Sequence, residues 1–479
     1  MEVRAVRVVH LPLIIANNAP VISKYLRRLG VDSTVVSYFR TWLGYEGDVN
    51  LDLDRLDAKD RQQRLHGFVD EFMKREAPRY DVFHFHFCES LATGGSFGGW
   101  QSHPGREPYW DLAALKAMGK KVVVSSFGSD VRNNSKLVYW QLKYDDPTLE
   151  LPRPPLCTRP QYFKIWQFAQ HADAIVSGDT ELCAHVPWST TIPIPIDLEP
   201  LSALKAAPQP EAQVFSILHA PSNNLLKGSR YIMRACERLK RTYGERIELR
   251  YIHGVAAQDA LKMYPGRGVA IDQVNMTLGL FALEAMYLGR PVVCTLRAEE
   301  FLATETKLRA PVVRVGSEEE MCAAVAEFIE GRAEADLKAL EDYVVEHHSA
   351  EVVARQYKAL YERLLAGEAL PSHPGQRWMR QFDRLIRGQK VDRDGYYPKV
   401  TDLLLARRDW EALAHEVQNG LGLSNDADLL AKLVLSHAAA GRGGMAEQLE
   451  KQNAKAVATP EYRQAYARAR GVLDAGARA

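Results

Sequence analysis

The chain has 479 residues, 46% of them apolar, and carries 61 lysine and arginine side chains against 60 aspartates and glutamates. That length has room for three ordinary domains with sizeable cores, and the balanced charge gives no electrostatic reason to expect nucleic acid as a partner. The six cysteines (Cys88, Cys157, Cys183, Cys236, Cys294, Cys322) form no Cys-x-x-Cys pair and read as small buried hydrophobes in a reducing compartment.

The N-terminal residues alternate like a strand and lack the long apolar core of a signal peptide. No run approaches the length of a membrane span, so a cytoplasmic location is expected. Val6 to His10 predicts a strand, Val21 to Leu29 an amphipathic helix stopped by Gly30, and Thr34 to Val36 the next strand. Lys24, Arg27 and Arg28 on that helix read first as a solvated face, with contact to an anionic membrane holding a lipid acceptor, peripherally at the inner membrane face, as the alternative. Residues 40 to 80 are charged, and Asp52-Leu53-Asp54 has metal-binding spacing, but Asp48, Arg55, Asp57, Lys59 and Asp60 around it read as a solvated face. A strand from Val82 to Phe85, a glycine-rich loop from Gly94 to Gly105, a helix from Trp110 to Met118 and a strand from Val122 to Val124 follow. This alternation implies a parallel sheet covered on both faces. His84 and His86 share one strand face and would make half a metal site; with no third ligand in the pattern they read as core or cleft-lining histidines, and no metal is expected.

Pro200 to Pro210 has linker composition. A second alternation then starts at Val214 to His219, with a helix over 229–241 that puts Ile232, Cys236 and Leu239 on one face and a strand over 247–252. Ser317-Glu318-Glu319-Glu320 is a capping box ahead of a helix from Met321 to Ile329. The expected organisation is a Rossmann-like domain over 1–200, a second over 211–348, a crossover helix over 349–368 and a helical extension over 375–479. In the extension, Leu405 to Ala412 lies over Ala439 to Ala446 at an offset of 34, the tetratricopeptide period, with a plain helical bundle as the alternative. Either arrangement offers a surface for a protein partner or for self-association.

Two segments carry chemistry. Gly279 to Val293 places Glu284 in an otherwise apolar helical turn, bracketed by Gly279 and Gly289 and followed by a short buried strand. A helix N-terminus in that setting binds nucleotide phosphates. Ile217 to Ser229 runs from strand through loop to helix start, with Lys227 just before Gly228; a lysine opposing a helix N-terminus predicts an anion between them.

The Gly279–Val293 segment resembles the donor-binding signature of the glycosyltransferase family 4 (group 1) enzymes, in which two acids precede Ala-Met and a Gly-x-Pro-Val strand. Glu284 falls on the second acid, and Met276 stands in the place of the first. Ser125 to Arg132 is similar to the family's His-Gly-Ser-Asp-x-Arg turn, with Phe127 for the histidine and Asp130 and Arg132 kept. Lys227-Gly228 is similar to its phosphate-binding pair, with Ser222 in the place of the assisting arginine. The resemblance covers residues 1 to 368 and implies an α/β GT-B fold, two Rossmann-like domains facing a cleft, to which this sequence adds an all-α C-terminal extension.

It also implies roles. Lys227 and Glu284 are the catalytic pair, Glu284 accepting hydrogen bonds from ribose hydroxyls and Lys227 meeting the diphosphate. Gly279, Leu280 and Phe281 bring backbone N–H groups to the phosphates, and Asn223 and Asn224 flank Lys227 on the donor side. Asn17, Asn18, His86, Asp130 and Arg132 are expected on the acceptor side. The implied reaction is retaining, metal-independent transfer of a sugar from a nucleotide-diphosphate sugar to a glycan, lipid or protein hydroxyl, without a cofactor. The substitutions Phe127, Ser222 and Met276 leave open a second reading: a catalytically weak or inactive nucleotide- or glycan-binding protein that uses its helices as an interaction module. A GT-B sugar-nucleotide epimerase ranks below both.

Overall fold

The computed structural model describes residues 5–93, 105–183, 185–186, 188–207, 214–274, 278–297, 309–368, 370, 395–421 and 426–476. Met276, most of the glycine-rich loop and part of the proline-rich linker lie outside the described residues. The chain forms two compact units: Met1–Val131 with Lys164–Ser222 and Tyr231–Gln376, and Arg132–Phe163 with Asn223–Arg230 and Arg377–Ala479.

The first unit contains two sheets in which every paired strand is parallel. One holds β1 (Arg7–Leu11), β2 (Asp32–Ser37), β3 (Val49–Asn50), β4 (Val82–His86), β5 (Lys121–Ser126), β6 (Ala174–Ser177) and β7 (Thr190–Thr191), in the order β3-β2-β1-β4-β5-β6-β7. The other holds β8 (Phe215–His219), β9 (Ile247–Tyr251), β10 (Gly268–Val274), β11 (Val292–Thr295) and β12 (Val313–Arg314), in the order β12-β11-β10-β8-β9. All residues of β4, β8 and β11 are buried, the mark of strands with helices on both faces. The strand order reverses between β1 and β4 and between β8 and β10, so the ligand crevices of such sheets open outside the carboxyl ends of these strands.

Local signals explain the elements. Gly30, at φ 80, ends helix Asn18–Arg28, and Ser317 caps helix Glu318–Ile329 by accepting from Glu320 N. Helix Ala350–Leu365 returns to the first sheet. Its start is tied by Ile196 N to His348 O (2.7 Å) and Ala350 N to Ile196 O (2.9 Å), and Val353, Tyr357, Leu360 and Leu364 pack in one core with Val8, Tyr25 and Leu26.

The second unit is helical in its described C-terminal part. Helices Tyr396–Ala406 and Trp410–Leu421 form one hairpin, and Ala427–Ala439 and Gly443–Gln452 another, ahead of Pro460–Gly476. Ala412 and Ala446, aligned by the 34-residue offset, are both buried early in the second helix of their hairpins. Helix Ala427–Ala439 is buried continuously from Leu429 to His437, which makes it the central helix. Its Lys432 ammonium is enclosed but paired, with Asp402 and Asp428 each at 2.7 Å. The sequence reads residues 375–479 as an appendage. Its helices from Tyr396 to Gly476 belong to one compact unit with Arg132–Phe163 and Asn223–Arg230.

Candidate functional site

At the carboxyl ends of β1 and β4 the backbone is strained in consecutive pairs. Ala16 and Asn17 have φ 49 and 56, and Phe87 and Cys88 have φ 64 and 49, left-handed values that cost non-glycine residues energy. Both pairs mark the topological switch point of the first sheet. Asn17 lines a cavity of about 510 Å³ together with Tyr45, Asp197, Gln258, Leu280 and Glu284, so both Rossmann-like halves of the first unit contribute to it. The loop carrying Tyr45 is anchored to the second half by Ala257 N donating to Leu43 O at 3.0 Å.

Glu284 lies half-buried in helix Leu280–Tyr287, and desolvation pushes its carboxyl up to about 8. That displacement favours the protonated form near neutral pH. Burial, and secondly the Glu284 charge, also push up the hydroxyl of Tyr45. Helix Leu280–Tyr287 ends at Gly289 with φ 79, and Phe281 stands edge-on to Tyr264 at 5.2 Å. Leu280 is half-buried at the first position of the helix, while Phe281 is buried. The N–H of Gly279, expected at a phosphate, donates to Asp272 Oδ2 at 2.7 Å. The helix N-terminus thus already holds an anionic side chain from the end of β10.

Lys227 stands just before helix Ser229–Tyr243, as expected, and has a second setting as well. It ends the short helix Asn224–Lys227, which closes on Gly228 at φ 68, so its ammonium stands in a C-terminal turn where a helix dipole favours a cation. Lys227 thus lies between the C-terminus of one helix and the N-terminus of the next, the helix for which an anion was expected. Asn223 is the N-cap of helix Asn224–Lys227, accepting from Leu226 N at 2.9 Å, and Asn224 is its first residue.

The first-domain residues divide by what their atoms already do. Asn18 is buried, with its amide nitrogen donating to Ile15 O (2.9 Å), so it shapes the loop while Asn17 faces the cavity. Asp130 is buried and accepts from Phe127 N (3.1 Å) and Gly128 N (2.8 Å), closing the turn after β5, and burial raises its carboxyl. Arg132 is buried, and its carbonyl accepts from Gln161 Nε2 at 2.7 Å. His86 is buried and stacks on Phe127 at 5.7 Å.

His10 supplies the third imidazole that the sequence pattern lacked. Ring nitrogens of His10, His84 and His86 lie within 4.8 Å of one another. His84 engages both of its nitrogens, with Tyr361 Oη and Ser125 Oγ, each at 2.7 Å, and His10 Nδ1 shares a bond with His86 Nε2 at 3.1 Å. Desolvation pushes all three well below the usual histidine range, His86 to about 3. Burial is the main cause, and the imidazoles are tied by hydrogen bonds to one another, to Ser125 and to Tyr361 beneath the crevice.

The basic helix face is half-exposed and paired. Lys24 pairs with Asp197 (2.7 Å) and Glu199 (2.5 Å), Arg27 with Asp48 (2.6 Å) and Arg28 with Glu199 (2.6 Å), so these cations already have acidic partners and give no support to membrane association. Among the described residues, no helix is long and apolar enough to cross a membrane. Asp52 pairs with Arg40 at 2.6 Å, as a solvated face would.

No family model matches this chain, and no curated protein matches it in sequence. Among solved structures it is similar to sucrose-phosphate synthase from Thermosynechococcus elongatus, over 76% of this chain and 100% of that one, with a TM-score of 0.50 and 15% identity. The fold is GT-B. Two other solved structures are similar at lower scores. One is a glycosyltransferase from Rickettsia africae ESF-5 (76% and 100% covered, TM-score 0.48, 13% identity), and the other is a UDP-N-acetylglucosamine 2-epimerase (77% and 99%, 0.44, 12%). Within the GT-B frame, sequence reading missed β10 with Asp272, the cavity residue Tyr45 and the histidine His10. The left-handed pairs were not legible either, because Ala16, Phe87 and Cys88 carry no compositional sign of positive φ.

Proposed function

We propose that the chain binds a nucleotide-diphosphate sugar and transfers the sugar, with retention, to an acceptor hydroxyl. The observation that supports this most is the cavity shared by both Rossmann-like halves, with Glu284 in its wall and Asn17 and Tyr45 on the other half. A carboxylate there accepts two hydrogen bonds from ribose hydroxyls once ionised. Lys227 keeps the role that the family resemblance gives it, offsetting charge on the leaving diphosphate. The bond from the anomeric carbon to the phosphate oxygen breaks, the acceptor oxygen bonds that carbon on the same face, and the acceptor proton passes to the leaving phosphate. No protein general base is needed. For Gly279 N–H to reach a phosphate, Asp272 must release it; otherwise the phosphates meet the next N–H groups of the helix.

Asp272 is also the observation that favours the second reading, because a carboxylate at that N-terminus competes with a diphosphate. A protein that binds nucleotide or glycan without transfer accommodates such a residue more readily. Melting of wild type, Lys227→Ala and Glu284→Ala with UDP, GDP and ADP tests the donor site. One nucleotide class should raise the wild-type melting temperature and leave both variants unmoved. Unchanged melting of the wild type with all three removes the donor-site reading. Slow hydrolysis of the matching nucleotide sugar by wild type, lost in Lys227→Ala, separates the transferase from the binding protein.

A further inference from the structure

We infer that the C-terminal helices brace the Lys227 turn and so hold the lysine to which the function proposed above gives the diphosphate; this rests on that function. Helix Asn224–Lys227 has four residues, too few to hold its shape alone. Its carbonyls are gripped from outside. Gln141, 1% exposed, donates from Nε2 to Leu225 O (2.8 Å) and Leu226 O (3.1 Å). Arg230, three residues past Lys227, pairs with Asp409, which also accepts from Ala412 N (3.3 Å) at the head of helix Trp410–Leu421.

The helix that carries Gln141, Ser135–Asp145, is itself docked on the same C-terminal helices. Asn133 Nδ2 donates to Tyr397 Oη (2.6 Å), Tyr396 Oη donates to Ser135 O (3.1 Å), and Arg407 pairs with Asp145 (3.3 Å). Two routes therefore run from the extension to the turn, one direct through Asp409 and one through Gln141, and all of their residues belong to one compact unit. Gln141, Arg230 and Asp409 are positioning residues: they act on a ligand through the backbone around Lys227.

The test uses the full chain with Asp409→Asn, which keeps a side chain able to cap the helix but loses the charge, and with Arg230→Gln, the double variant and Gln141→Met. Amide hydrogen exchange over 223–230 is measured without ligand, and affinity for UDP, GDP and ADP by calorimetry. The brace predicts faster exchange in that segment with unchanged exchange in β8 to β11. It also predicts roughly twofold to fivefold weaker binding of whichever nucleotide the wild type takes, in both single charge variants. The double variant should be no weaker than either single one, and Gln141→Met should be at least as weak. A transferase assay should show the loss in KM with kcat nearly kept. Unchanged exchange, or faster exchange with unchanged affinity, overturns the brace while leaving the donor site standing. A wild type that binds none of the three nucleotides overturns both.

Discussion

Glu284 shows how much one residue reveals at each level. Its isolation in an apolar helix is visible in the sequence, and the structure converts that isolation into a carboxyl displaced to about 8. Two hydroxyls donating to it require the ionised form, so nucleotide affinity should rise with pH up to about 8, by at most about tenfold per unit, and then level. Calorimetry across pH 6 to 9 checks this, and Glu284→Gln should remove the dependence that belongs to this group. The same displacement acts on stability. Between about pH 4.5 and 8 the folded chain holds a proton that the unfolded chain releases, so stability falls as pH rises through that window. Glu416, enclosed near Ser135, Tyr396 and Asn419, is likewise pushed up to about 8 and adds to the slope. Urea titrations of Glu284→Gln and Glu416→Gln should each show a shallower decline. Gly268 makes a different demand: at φ 134, a Cβ there would stand 1.9 Å from Ser216 O on the neighbouring strand β8. Gly268→Ala should therefore cost about 3 kcal/mol or more in chemical denaturation, since backbone must move on both strands.

Among elements, those with a strong local period were the legible ones. The apolar runs of β4 and β5 and the 3.6-residue pattern of helix Ala350–Leu365 announce themselves because each needs only its own residues to define a buried face. Strand β10 did not, because Gly268 opens it and Asp272-Gln273 near its end breaks the apolar run, although both polar residues are buried. The short helix ending at Lys227 was hidden for a related reason: Lys-Gly marks a helix end as well as a helix approach, and Gly228 closes this helix immediately before Ser229 starts the expected one. The join of helix Ala350–Leu365 to the first sheet runs through Tyr361 Oη, Ser125 Oγ and Tyr357 Oη around His84. Tyr361→Phe leaves the His84 Nδ1 without that partner in a buried setting and should cost about 1–3 kcal/mol in urea denaturation, with little change in nucleotide affinity.

For the whole molecule, the sequence by itself determined the class of architecture: alternating strands and helices with fully apolar strand cores admit little but two parallel sheets, and a strandless Ala- and Leu-rich tail admits only helices. It also determined which acid stands alone in an apolar helix. The tertiary structure decided what that information cannot reach. It brings His10 to His86 across 76 residues, sets Asp272 against Gly279, pairs Lys24 with Asp197 across 173 residues, and joins the C-terminal helices to segments 132–163 and 223–230. The physical reason is range. Periodicity and capping report energies between residues a few positions apart, whereas these partners are selected by strand order and helix docking, which depend on the packing of the entire chain.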